Sequence, residues 1–362
     1  MPKFSKTIAL LFCFFAVVAN AQQPNKTKVV LITLDGLRWQ EMFSGADPAL
    51  ISNKDYVHDT LLLKQLFWNN DPNVRRKLLM PFLWGTVVNM GQIHGNRNLG
   101  SKMNLTNSMW FSYPGYNEIL TGQADDKRIV SNDKINNPNT TILESYNNFV
   151  EGNGKVAAFG SWDVFPYIVN EERSKVPVNA GFEMAKERPN DRELFLNVLQ
   201  KQIPSPWSSV RLDAFTHHYA LEYMKKNHPN LVYIAYGETD DFAHEGDYQA
   251  YLKSTNTTDN FIKELWEFTQ TDDYYKNETV FIITTDHGRG TEPIRSWRDH
   301  GSQVEGADQV WLVVFGKNIL PKGEIASEKQ LFTNQIAPTI AKWMDFKLDA
   351  KNETGSTLEL DD

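Results

Sequence analysis

Cysteine is almost missing from this chain. Its 362 residues contain one, Cys13, which falls in a segment read below as a removed leader. That excludes a disulfide framework, a cysteine-built zinc cluster and thiol nucleophilic catalysis. A chain of this length buries core enough to do without such staples. Long apolar runs are also missing. The longest, Ile8 to Val18, falls short of the roughly 20 residues a membrane helix needs. Positive charge is in deficit, with 37 Lys and Arg against 45 Asp and Glu, a formal net charge of −8. That balance argues against a general binder of nucleic acid or of anionic membranes. There is no internal repeat and no Pro- or Ser-rich linker.

The start reads as an address. Lys3 and Lys6 precede the apolar run, and Ala19-Asn20-Ala21 follows it. A charged start, a short apolar centre and an A-x-A site mark a secretory signal over residues 1–21, removed after Ala21, and a secreted or periplasmic protein. Losing Lys3 and Lys6 takes the charge from −8 to −10. An acidic protein that handles an anionic substrate needs local positive charge, which bound metal ions supply.

The strongest stretch is Val280-Phe281-Ile282-Ile283-Thr284-Thr285-Asp286-His287-Gly288. Its apolar part is continuous rather than alternating, the pattern of a strand buried on both faces. Asp286 and His287 would sit at its carboxyl end, where open α/β sheets gather ligands, and Gly288 would let the chain turn away. Val29 to Leu34 is a second such strand and ends on Asp35-Gly36. Lys155 to Phe159, Asn230 to Tyr236 and Val310 to Phe315 read as further strands. Helical spacing falls at Leu61 to Asn69, Val74 to Met90 with a break at Pro81, Asp191 to Gln202, Phe215 to Asn227, Tyr248 to Gln270 and Thr333 to Phe346. Such alternation predicts an α/β fold, a largely parallel central sheet with helices on both faces. Residues 22–348 read as one catalytic domain, and residues 349–362 as a flexible acidic tail.

The polar residues that follow these strands are Asp35, Ser112, Asp240, His244, Asp286, His287 and His300. Asp240 and His244 stand four apart, on one face of a helical turn. Ser112 precedes Pro114, Ile119, Leu120 and Gly122, a short helix with a glycine stop. At a helix start, unpaired N–H groups favour an alkoxide; an ordinary N-cap serine is the plainer reading. Three carboxylates, three imidazoles and a hydroxyl suit two divalent ions, zinc first and manganese second. Two ions about 3.5–4 Å apart clamp an in-line displacement at phosphorus. His94, His217 and His218 read as structural, surface or packing residues.

In order and local motif the chain resembles the alkaline phosphatase superfamily, nearest its nucleotide pyrophosphatase/phosphodiesterase branch. The carriers are Leu31-Ile32-Thr33-Leu34-Asp35-Gly36, Ser112-Tyr113-Pro114 through Leu120-Thr121-Gly122, Thr239-Asp240 through Ala243-His244, Thr285-Asp286-His287-Gly288, His300-Gly301 and Gln335-Ile336-Ala337-Pro338-Thr339-Ile340. The resemblance implies an alkaline-phosphatase-like domain that hydrolyses phosphate mono- or diesters of small molecules. Asp35, Ser112, Asp286 and His287 would surround one metal; Asp240, His244 and His300 would hold the other. Ser112 would form a covalent phosphoseryl intermediate. Asn132, one residue off the family's usual spacing, would donate to a phosphoryl oxygen. The chain departs from the branch in having serine where threonine is usual, and Gly115-Tyr116-Asn117 where the branch carries a histidine.

Three other readings compete. A sulfatase makes its nucleophile in a C/S-x-P-x-R context, and here Tyr116 stands in place of the arginine. A cofactor-independent phosphoglycerate mutase would carry a larger insertion between Ser112 and Asp240. A secreted protein with purely structural metals would need no serine beside a helix start. A monoester, carrying more charge than a diester, would want extra cationic donors. Lys155, Arg173, Lys175 and Arg298 qualify by position, with Asp163 as a candidate wall residue and Trp162 read as core ahead of wall.

Overall fold

The computed structural model describes residue 2, residues 27–350 and residues 353–360. Residue 2 apart, the expected leader lies outside the described residues. An eight-stranded sheet forms the centre, built from β1 (Lys28–Leu34), β2 (Gly91–His94), β4 (Val156–Gly160), β5 (Val178–Ala180), β6 (Leu231–Tyr236), β7 (Thr279–Thr284), β9 (Leu312–Gly316) and β10 (Gly323–Glu324). A three-stranded sheet holds β3 (Lys102–Asn104), β8 (Gln309–Val310) and β11 (Gln330–Phe332). The order across the large sheet is β10-β2-β9-β7-β1-β6-β4-β5. Every pairing in it is parallel except the two that β9 makes, with β2 and β7. The sheet is therefore the largely parallel one expected, with one reversed strand.

Helices on both faces explain the continuous apolar runs. Alternate residues of β1 enter different cores: Val30, Ile32 and Leu34 face one, Val29 and Leu31 the other. All seven residues of β1 are buried, each large aliphatic side chain contributing roughly 1.5–3 kcal/mol. The first core is covered by helices Asp213–Asn227 and Tyr248–Thr271, the second by Ser112–Thr121, Ile142–Phe149 and Ile336–Trp343. Among the described residues no helix is long and apolar enough to cross a membrane.

The helix Asp191–Gln202 matches its expected bounds, and its start carries a capping box between Asn190 and Glu193. Pro81 breaks the early helical stretch as expected, opening a short helix at Pro81–Gly85. The expected strand Val310 to Phe315 is instead two. Trp311 lies between β8 and β9, its indole N–H bonded to the Leu37 carbonyl at 2.9 Å and its own carbonyl to Thr284 Oγ1 at 2.6 Å.

The tail is corrected in its described part. Residues 353–360 lie against the second core rather than loose. Leu358 is buried, its N–H donates to Thr339 Oγ1 at 2.7 Å, and Gly355 N–H donates to the Gly122 carbonyl at 2.9 Å. Leu358 and Leu360, two apart on an extended segment, turn to the same side and reach that core.

Candidate active site

Register brings the strand ends together. Leu34 of β1 pairs with Tyr236 of β6, and Thr33 with Thr284 of β7. The next residues leave the sheet at one edge. Asp35 N–H donates to the Tyr236 carbonyl at 2.9 Å, and Gly36 N–H to Asp286 Oδ1 at 3.1 Å. Thr239 Oγ1 donates to the Asp35 carbonyl at 2.5 Å, tying the helix Glu238–Glu245 to the same edge. That helix sets Asp240 and His244 one turn apart, His244 Nε2 lying 3.3 Å from Asp240 Oδ2. The loop after a short 3-10 turn, Ile294–Arg298, delivers His300. Its Nε2 is 2.9 Å from His244 Nε2 and 3.7 Å from Asp240 Oδ1.

His287 stands at the junction. Its Nε2 is 3.3 Å from Asp35 Oδ1, 3.5 Å from Asp286 Oδ2 and 3.6 Å from Asp240 Oδ1. Its Nδ1 lies 2.9 Å from the Gly288 carbonyl, which places a ring proton on Nδ1, so that an ion bound there would displace the proton of Nε2. Two triads result, Asp35/Asp286/His287 and Asp240/His287/His300, each with ligand atoms within 4.8 Å of one another. His244 is the solvent-facing edge, its side chain 45 % exposed against 0 % for His287.

Ser112 is the first residue of the helix Ser112–Thr121, and Phe111, not Ser112, holds the N-cap position. The hydroxyl is therefore not spent on a cap. Oγ lies 3.4 Å from His287 Nε2. Trp110, at φ 54°, takes the left-handed backbone region just before it, a conformation uncommon for a bulky residue and frequent where geometry is imposed by function. Gly115 lets the helix start press on the strand end, since a Cβ there would lie 2.2 Å from the Asp286 carbonyl oxygen. Asn132 Oδ1 accepts from Tyr113 N–H at 3.0 Å. Its amide group thus sits at the helix start beside Ser112.

The electrostatics suit cations. Burial and then the neighbouring Asp35 push the Asp286 carboxyl well above the usual range. Burial opposes charge on His287, but Asp286 and Asp35 outweigh it and raise it to about 9. Burial and then the charge of His287 push His300 and His244 down, to the neutral form a metal requires. Asp35 Oδ1 and Asp286 Oδ2 are buried acceptors without a hydrogen-bond partner. Like-charged carboxylates with unpaired oxygens are costly unless a cation joins them. The donor set, with three carboxylates and three imidazoles, fits two divalent ions.

Geometry separates Asp240 from its neighbour. Asp240 joins the triad and Asp241 does not, and burial followed by the Asp35 charge pushes Asp241 up to about 8. Two contributors were not anticipated from the sequence. Tyr116 O–H donates to Asp35 Oδ2 at 2.7 Å. Arg289, fully buried, bonds to Asp240 Oδ1, to the Gly36 carbonyl at 3.1 Å and to the Arg298 carbonyl at 2.6 Å. An arginine one residue beyond His287-Gly288 was the available signal. Gly288 serves close approach rather than a turn: a Cβ would lie 2.4 Å from the Gln309 carbonyl oxygen.

The other positional candidates lie elsewhere. Lys155 bonds the His228 carbonyl at the opposite sheet edge, and Arg173 pairs with Glu144 at 2.7 Å. Lys175 lines a cavity of about 740 Å³ beside β5. Arg298 donates to the His244 carbonyl at 2.5 Å on the rim. Asp163 pairs with Lys134, and Trp162 packs edge-on against Phe165. His94 is buried within β2 beside Gln92, a structural role.

Comparison with known proteins agrees with the fold. Residues 210–348 match the family model described as Metalloenzyme superfamily. No curated protein matches the chain in sequence. The solved alkaline phosphatase PafA is similar in fold at 10 % identity and a TM-score of 0.59, covering 91 % of this chain and 97 % of its own. The lipoteichoic acid synthase LtaP from Listeria monocytogenes reaches 0.57 at 10 % identity, covering 91 % and 74 %. BT1596, a 2-O GAG sulfatase, reaches 0.54 at 11 % identity, covering 91 % and 73 %. The chain has the fold of the alkaline phosphatase superfamily, and its residues 210–348 carry the metalloenzyme superfamily signature.

Proposed function

We propose that the protein is a secreted two-metal phosphoesterase with Ser112 as its nucleophile, nearest the nucleotide pyrophosphatase/phosphodiesterase branch. The observation that carries this reading is the position of Ser112 Oγ, uncapped at a helix start and 3.4 Å from the imidazole shared by both triads. Asp35, Asp286, His287 and Ser112 would hold one ion, and Asp240, His244 and His300 the other. Bound there, two divalent ions, zinc first and manganese second, would ease loss of the Ser112 proton and balance charge on the leaving oxygen.

The chain's own residues do the rest. Ser112 Oγ attacks phosphorus, the ester P–O bond breaks, and the leaving oxygen departs with the bonding pair. Water then attacks the phosphoseryl group, and the P–Oγ bond breaks to restore the serine. The N–H groups at the helix start and the Asn132 amide donate to the phosphoryl oxygens. Lys155, Arg173 and Lys175 lie elsewhere and Arg298, on the rim, is bonded to the His244 carbonyl, which takes away donors a doubly charged monoester would use and favours the singly charged diester. The substrate is a small-molecule phosphate ester.

A sulfatase is the second reading, favoured by the fold likeness to BT1596. Against it, the arginine expected two residues after the proline is Tyr116, which here holds Asp35. The two readings part in a quench experiment. Zinc-loaded protein mixed with a phosphodiester and stopped in acid should carry on Ser112 one phosphoryl group still esterified to the retained alcohol, seen by mass spectrometry, and the Ser112→Ala variant none. A Ser112 that carries no phosphoryl adduct during turnover would defeat the proposal.

A further inference from the structure

A second cluster of ligand-type side chains lies away from the strand-end site, between helices Asp213–Asn227 and Tyr248–Thr271. His217, His218 and Glu264 bring one ligand atom each within 4.8 Å of one another. Successive helix residues normally diverge by about 100°, yet the two imidazole centroids are 4.8 Å apart. His217 is fully buried, and three contacts fix its ring. It stacks on Phe261 at 4.3 Å and 11°, its Nδ1 is 3.0 Å from the Tyr236 hydroxyl, and its Nε2 is 3.0 Å from Glu264 Oε2. Asn260 Nδ2 donates to the other oxygen of Glu264 at 3.2 Å, orienting the carboxylate. His218 Nδ1 is shielded from solvent and has no hydrogen-bond partner.

We propose that His217, His218 and Glu264 form a third metal site, one that takes a late first-row divalent ion such as zinc and clamps the two helices together. Two imidazoles and a carboxylate are a known zinc ligand set that leaves a position for water. Ligands of one tetrahedral zinc lie roughly 3.3 Å apart, so the 3.0 Å between His217 and Glu264 needs only a small parting of the pair. His218 brings one ring nitrogen within 4.8 Å of the other two ligand atoms, and its Nδ1 is a buried nitrogen without a partner. Tyr236 and Asn260 supply the outer contacts that hold metal-binding side chains in place. The ring proton of His217 moves from Nε2 to Nδ1, facing the Tyr236 oxygen, as the ion takes its place, so the imidazole stays neutral. Burial also keeps both histidines below their ordinary pKa, in the form that binds metal.

The site is independent of the strand-end triads, so its test does not depend on the activity. Full-length protein is equilibrated with micromolar free zinc, and bound zinc is counted by mass spectrometry for the wild type, His218→Ala and Glu264→Gln. The expected result is one ion per chain fewer in each variant, with ester hydrolysis unchanged. Zinc-edge anomalous diffraction from wild-type crystals should then show a peak between the three side chains. Equal zinc content in all three proteins, or filled triads with no peak between His217, His218 and Glu264, would overturn the proposal. So would zinc held there only at millimolar concentration. His218 and Glu264 are partly exposed, so both variants are expected to fold; a thermal-unfolding control confirms it.

Discussion

Tyr116 O–H donates to Asp35 Oδ2 across 81 residues of sequence, at 2.7 Å, in a fully buried setting. The bond occupies one oxygen of Asp35 and leaves the other, Oδ1, facing His287 at 3.3 Å. Burial, reinforced by the charges of Asp286 and Asp35, holds the phenol far above its ordinary pKa, so Tyr116 stays a donor throughout the working pH range. Residues that orient metal-binding carboxylates typically govern affinity by about 10–100-fold. Tyr116→Phe should weaken zinc binding by about that factor and leave the fold intact. Competition titration against a chelator measures it, and an unchanged affinity would remove Tyr116 from the site.

Gly115 is a question of space. Alanine there would set a methyl group 2.2 Å from the Asp286 carbonyl oxygen, so the helix carrying Ser112 must retreat. Overpacking of this kind costs about 1–3 kcal/mol, and displacing a nucleophile by about 1 Å costs on the order of 100-fold in rate. Gly115→Ala should therefore lose on the order of 100-fold in kcat/KM while remaining folded, with a stability loss of about 1–3 kcal/mol. An unchanged kcat/KM beside that stability loss would show that the helix start does not position the nucleophile.

Arg38 and Glu41 form a buried ion pair on the first-core side of the site. Tyr248 O–H also donates to Glu41, at 2.9 Å, and Arg38 Nη1 donates to the Gly290 carbonyl at 3.1 Å, behind the segment that bears His287. Burial works against the Arg38 charge, but Glu41 outweighs it and keeps the guanidinium charged. Removing one partner leaves a buried charge, at about 3–5 kcal/mol. Glu41→Gln should lower unfolding stability by that order in denaturant titration; a change under about 1 kcal/mol would mean the pair is effectively solvated.

Asp259 gives a pH signature. It caps the helix Pro81–Gly85, accepting from Phe82 N–H at 2.7 Å and Leu83 N–H at 3.0 Å. Burial pushes its carboxyl up to about 7 despite those two donors. The native state therefore keeps this proton to higher pH than the unfolded chain, where the carboxyl titrates near 3.9. Its contribution is full below about pH 4 and is lost as pH rises through about 7. The stability gap between wild type and Asp259→Ala should narrow over that window, as read by thermal unfolding at stepped pH. A gap that widens with pH would reverse the sign.

What the sequence made legible was chemistry tied to a local pattern. Continuous apolar runs announced β1, β6 and β7, and the residues just past them, Asp35, Asp240, Asp286 and His287, meet at one edge because parallel strands end together. Contacts made through tertiary packing were not legible. Tyr116 stood out only as a departure from the family pattern, since nothing local points a phenol at a residue 81 positions earlier. Arg289 carried one weak signal, its place after Gly288, but no pattern showed it bonding three separate segments. The tail misled because it is polar by composition, while what docks it are backbone N–H groups and the single buried Leu358. His217 and His218 read as packing because their third partner, Glu264, lies on another helix.

The central claim is that Ser112 attacks a phosphate ester at the strand-end site. The most direct test is kcat/KM of the zinc-loaded protein on bis-p-nitrophenyl phosphate and p-nitrophenyl phosphate, beside Ser112→Ala. The account predicts cleavage of the diester ahead of the monoester, with a loss on the order of 1,000-fold or more in the variant. Phosphate-ester cleavage at the same rate by wild type and Ser112→Ala, or cleavage of sulfate esters alone, would contradict it.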